Sequence, residues 1–89
     1  MKLVFRIHAI QRMSERQISV ATVKHVLEKG EIIRDYPDDT PYPSRLILGW
    51  REKRPLHVVA ASGEADQTII ITAYEPDADL WEADFRKKK

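Results

Sequence analysis

The sequence predicts an α+β fold, with two N-terminal helices laid across one face of an antiparallel sheet of about four strands. Three observations predict it. Two runs between residues 5 and 29 carry apolar side chains at helical spacing, divided by a very short link. Four short runs between residues 31 and 74 are rich in apolar and β-branched residues and are separated by turn-forming stretches. The order is helices first and strands after, which favours a helical hairpin packed on a β-meander.

Taken in order, residues 1–5 (MKLVF) are a short edge strand or a lead-in. The first helix runs from about residue 6 to residue 16. His8, Arg12 and Arg16 recur every fourth residue and fall within an arc of roughly 80° on one side of it. Ile7, Ile10 and Met13 fall on the opposite side and form its apolar back. Residues 17–18 connect to a second helix, with Ser19 as N-cap, Val20, Val23, Val26 and Leu27 facing the core, and Gly30 as a left-handed C-cap. Residues 31–36 (EIIRDY) form the first strand of the meander. Residues 37–44 (PDDTPYPS), with three prolines and no apolar period, form a loop suited to mobility. Strands follow at residues 45–50 (RLILGW), 56–62 (LHVVAAS) and 68–74 (TIIITAY), with a charged turn at 51–55 and a hairpin loop at 63–67. In the tail, residues 76–89, Trp81 and Phe85 are the anchors and the four terminal cations are expected to be solvated and disordered. The whole reads as one domain, 1–89, made of a helical hairpin (1–30), a meander (31–75) and a tail.

Composition removes several function classes. The net charge is only +1, so attraction to nucleic acid must come from local patches. Cysteine is absent, which excludes disulfides and thiolate chemistry and fits a reducing cytoplasm. No stretch is long and apolar enough to cross a membrane. Arg6, His8 and Arg12 interrupt the N-terminal apolar run, so it does not read as a secretion signal. The three histidines lack the close spacing of zinc motifs, so neither metal nor cofactor is expected. A chain of this size also has reason to gain stability as a homodimer.

The last two strands carry a register argument. If Ser62 lies opposite Gln67, then His57 lies opposite Thr72, Val59 opposite Ile70 and Ala61 opposite Thr68. One face then collects Leu56, Val58, Ala60, Ile69, Ile71 and Ala73, while the other presents His57, Thr72 and Tyr74 at one end. Arginine can grip two phosphate oxygens at once, and histidine moves protons near neutral pH. The two segments together therefore hold the groups that phosphate chemistry needs. Each group also has a plainer role. The helix front is ordinarily a solvated basic face, and a histidine inside an apolar strand is ordinarily a core residue bonded to a neighbour. The aromatic residues are more often packing groups than stacking platforms.

The segments HAIQRMSERQIS, EKGEIIRDY, RPLHVVAA and TIIITAYEPDADLWEADFRKKK resemble, in order and wording, a small bacterial and archaeal family called domain-of-unknown-function 4258. The family's His-x-x-x-Arg-Met-x-x-Arg falls on His8, Arg12, Met13 and Arg16, and its strand histidine and Thr-x-Tyr fall on His57, Thr72 and Tyr74. Where many relatives carry glycine after the second arginine, this chain has Gln17. Members resemble barnase/RelE-type metal-independent ribonucleases and toxins of toxin-antitoxin pairs. The resemblance implies an endoribonuclease whose partners are RNA and a cognate antitoxin. His8 and His57 would then be acid and base in either order, Tyr74 an orienting group or weak acid, Arg12 and Arg16 the phosphate ligands, and Thr72 the support of His57. The alternative is a non-enzymatic protein- or RNA-binding module in which the polar motif is structural. The catalytic version requires His57 and the arginines to share one solvent-open hollow.

Overall fold

The computed structural model describes residues 2–89. Strand β1 (Lys2–Phe5) leads into helix α1 (Ile7–Glu15) and helix α2 (Val20–Lys29). Strands β2 (Glu31–Tyr36), β3 (Ser44–Arg51), β4 (Arg54–Ser62) and β5 (Gln67–Tyr74) follow. They form a five-stranded sheet in the order β1-β5-β4-β3-β2. The α+β class holds, but the sheet is mixed rather than antiparallel, because β1 joins it as a fifth strand parallel to β5. Four residues show no partner in local sequence, and this partner lies more than sixty residues away. No helix among the described residues is long and apolar enough to cross a membrane.

Local chemistry accounts for the helical hairpin. Ser19 caps α2, its hydroxyl accepting from the Thr22 amide at 3.1 Å. The left-handed position falls at Gln17, with φ of 56°, and not at Gly30, whose φ is −78°. Gly30 is required for space instead: a Cβ there would sit 2.4 Å from the Val26 carbonyl oxygen and 2.7 Å from that of Leu48. Gly49 similarly lets α2 approach β3, since a Cβ would lie 2.6 Å from a Val26 methyl.

Helix α1 is rolled away from the expected orientation. Ala9 and Met13 enter the core with Val23, Val26, Ile47, Leu56, Val58, Ala60, Ile70 and Ala73. Ile7 and Ile10, expected on the buried back, are 73% and 53% exposed. The buried stripe therefore runs between the isoleucines and the basic front. A small residue at the contact lets the helix lie close over β5.

The β4–β5 register differs from the expected one. Near the loop, Ser62, Ala61 and Ala60 pair with Thr68, Ile69 and Ile70. Beyond a bulge, Val59, Val58 and His57 pair with Thr72, Ala73 and Tyr74. One extra residue, Ile71, reverses the alternation of β5. Ile70 therefore joins the helix face with Ala60, whereas Ile69 moves to the other face with Ala61. His57, Thr72 and Tyr74 remain on one face, as expected, because the pairing beyond the bulge slipped by two residues.

That second face is covered by irregular chain. Residues of the proline loop stand over Ala61 and Ile71 around a cavity of about 330 Å³, and Asp39 accepts a hydrogen bond from buried Ser44. The tail is ordered, although its four terminal cations stay exposed to solvent as expected. Trp81 bridges to Lys88, the Lys88 ammonium lies 5.9 Å from the Trp81 ring, and Arg86 pairs with Glu31 at 2.7 Å.

Candidate functional site

Strand alternation and two aromatic anchors place His57. Its neighbours Leu56 and Val58 point to the helices, so its ring points to the opposite face. There Trp81 meets the imidazole edge-on at 4.4 Å between centroids and Tyr74 does so at 5.3 Å. The residue is 0% exposed. Its Nε2 lies 2.9 Å from the Phe85 carbonyl oxygen, which can only accept, so Nε2 carries the proton. The bare Nδ1 then accepts from the Tyr74 hydroxyl at 3.3 Å. Burial lowers the His57 pKa, more strongly than the Phe85 carbonyl raises it, and so favours the neutral ring. A single proton-ordered chain thus runs from phenol to imidazole to tail backbone.

Tyr74 is the half-buried outer member of that chain. Burial raises its pKa, the neighbouring Tyr36 raises it further, and the positive charge of Arg34 lowers it. The phenol therefore stays protonated at neutral pH. Thr72 is likewise half-buried on this face, and no hydrogen bond joins it to His57.

Arg34 and Tyr36 were not among the residues singled out from sequence. Their strand pairs with Leu46 and Ser44, which puts both on the His57 face. The signal available was their spacing of two within the first run of the meander, which becomes informative only once the bulge between Ile32 and Arg34 is known.

The arginine front of α1 lies on the other side of the sheet. Arg16 donates from Nη1 to the Ala73 carbonyl oxygen at 3.4 Å, a tie between helix and strand. His8 and Arg12 are exposed, and among the described residues neither side chain has a hydrogen bond or ion pair. The structure therefore brings His57, Thr72 and Tyr74 together, and places His8, Arg12 and Arg16 along one helix, but does not join the two sets. The shared open hollow required by the catalytic version is absent: the imidazole is sealed and aimed away from both guanidiniums. No group of three or more His, Asp or Glu among the described residues could hold a metal ion.

A family model described as "Domain of unknown function (DUF4258)" matches residues 5–75, most of the chain, and the chain belongs to that family. No curated protein matches, and no solved structure matches.

Proposed function

We propose that this member of the family is a non-enzymatic binding module that holds a polyanionic strand, RNA, on the front of α1. His57, Thr72 and Tyr74 then serve the architecture by fixing the tail to the sheet. The observation that carries this reading is the sealed imidazole, with both ring nitrogens committed to protein partners. Such a ring has no nitrogen left for a substrate proton. Meanwhile Arg12 and His8 stand exposed and unpaired where a phosphate backbone can reach them. Contacts this few give weak, salt-sensitive binding without sequence preference. Such a role suits a protein of the cytoplasm.

The test is titration of a fluorescent single-stranded RNA at several salt concentrations. Binding should weaken with salt, with a log–log slope of about −1. Arg12→Ala should reduce affinity about fivefold at low salt, and no shortened product should form. Absence of binding at 20 mM salt overturns the proposal.

One observation favours a second reading, the metal-independent ribonuclease or toxin with a cognate antitoxin. Tyr74 is half-buried, its hydroxyl is oriented by His57, and the Arg34 charge acts on it. In that version Arg34 binds the phosphate and Tyr74 orients it. The catalytic roles of His57 and His8, and the phosphate contacts of Arg12 and Arg16, would then require the tail and sheet to rearrange. RNA cleavage that survives a chelator and is lost in Tyr74→Phe establishes this reading and removes the first.

A further inference from the structure

The two edges of the sheet are treated differently. Edge β2 is protected by a bulge between Ile32 and Arg34 and by the tail, which Arg86 clamps to Glu31. Edge β1 has neither device. Its Lys2 amide donates to the Asp66 carbonyl at 2.9 Å, and the Arg6 amide just beyond it donates to that of Ile70 at 3.3 Å. In a parallel ladder alternate residues face the neighbouring strand, so the N–H and C=O groups of Leu3 and Phe5 face outward. Among the described residues these four backbone groups have no hydrogen-bond partner.

The surroundings of that edge are specific. On the helix side, Leu3 and Phe5 pack against the core, and Phe5 continues into an apolar groove of about 390 Å³ shared with Ile10, Ile18 and Val20. Ile10 and Val20 are half exposed beside it. On the strand itself Lys2 and Arg6 flank Val4, and neither cation forms an ion pair among the described residues. Arg6 lines a cavity with Asp38 and Asp39 without bonding either.

We propose that β1 is a docking edge for an extended acidic segment of a partner protein. The segment would add a sixth strand, with alternate apolar side chains in the groove and carboxylates beside Lys2 and Arg6. Main-chain pairing supplies affinity, and the alternating side chains supply selection. A second copy of this chain fits less well. Antiparallel self-pairing that uses both Leu3 and Phe5 turns about Val4 and sets Lys2 against Arg6 of the other copy, twice over. Like charges directly opposite one another destabilise such a pair. The inference concerns a protein partner at the edge and stands apart from RNA binding on the front of α1.

The experiment uses the full chain and two labelled peptides of about ten residues, one alternating valine and glutamate, the other valine and lysine. The glutamate peptide should bind at least tenfold more tightly than the lysine peptide. It should slow hydrogen exchange of the Leu3 and Phe5 amides at least tenfold and leave Val4, already paired to β5, unchanged. The double variant Lys2→Glu/Arg6→Glu should reverse the preference between peptides, a result that simple unfolding cannot give. Equal binding of both peptides, protection away from Leu3 and Phe5, or a dimer of the free chain that protects those amides would each overturn the proposal.

Discussion

The helix-covered face and the tail-covered face of the sheet are sealed by different physics. On the helix face, α1 and α2 satisfy most of their own backbone groups and meet the sheet through side chains, so the core cluster there is apolar. On the tail face the cover is irregular chain, whose peptide groups need partners wherever they are buried. The imidazole of His57 supplies one, through the Phe85 carbonyl. A buried polar residue in an apolar strand is thus the counterpart of covering a sheet with loop, and the difference gives each face its own mode of failure.

The largest expected effect is on the tail face. His57→Ala removes a fully buried ring and leaves the Phe85 carbonyl and the Tyr74 hydroxyl without partners, which should cost roughly 3–4 kcal/mol. The loss should be accompanied by faster hydrogen exchange over residues 81–89 while the α2 amides stay protected. Uniform acceleration across both layers would mean that the two faces do not differ as described. On the helix face, Gly49→Ala drives a methyl into Val26 and should cost about 1–3 kcal/mol with no polar group exposed. Its signature is rescue: adding Val26→Ala should recover part of the loss, measured by urea unfolding of the double-mutant cycle.

Acid should also separate the faces. Burial depresses the folded-state pKa of His57 below its ordinary 6.5, so the unfolded chain binds the proton more readily. The stability supplied by this group is fully present above about pH 6.5 and is lost as pH falls toward the depressed value. One proton gives a slope of at most about 1.4 kcal/mol per pH unit in that window. Urea unfolding between pH 7.5 and 5 should show this slope in the native chain and a flatter line in His57→Gln.

The helix face was largely legible in the sequence, and the tail face was not. Ser19 and the spacing of Val23 and Val26 in α2 are local signals that packing kept, whereas Val20, expected to face the core, is 49% exposed. The roll of α1 was hidden because counting hydrocarbon favours Ile7 and Ile10, whereas close approach to β5 favours Ala9. The bulge at Ile71 was hidden inside the uniform run TIII, which has no alternation to reverse. His57, Thr72 and Tyr74 could be put on one face from alternation, but their cover could not be foreseen. A segment ending in RKKK reads as disordered until Lys88 is seen above Trp81 and Arg86 against Glu31. Arg34 and Tyr36 lie on the same face as Tyr74 and act on its phenol electrostatically although two strands intervene, a relation only topology reveals.

The smallest expected effect concerns what holds the far end of the tail. Arg86 donates from Nε and Nη2 to Glu31, and both side chains remain about half exposed, so water and salt screen the pair. The buried contacts of Trp81 and Phe85 around His57 should therefore carry the attachment, with the ion pair only limiting fraying beyond them. Arg86→Ala should leave the urea midpoint unchanged and quicken exchange of the Lys89 amide, which donates to the Leu80 carbonyl. The quickening should fade as salt is raised to 0.5 M, because the native pair is then screened as well. A shift of the global midpoint as large as that of Gly49→Ala would show that surface charge, not the imidazole, closes this face.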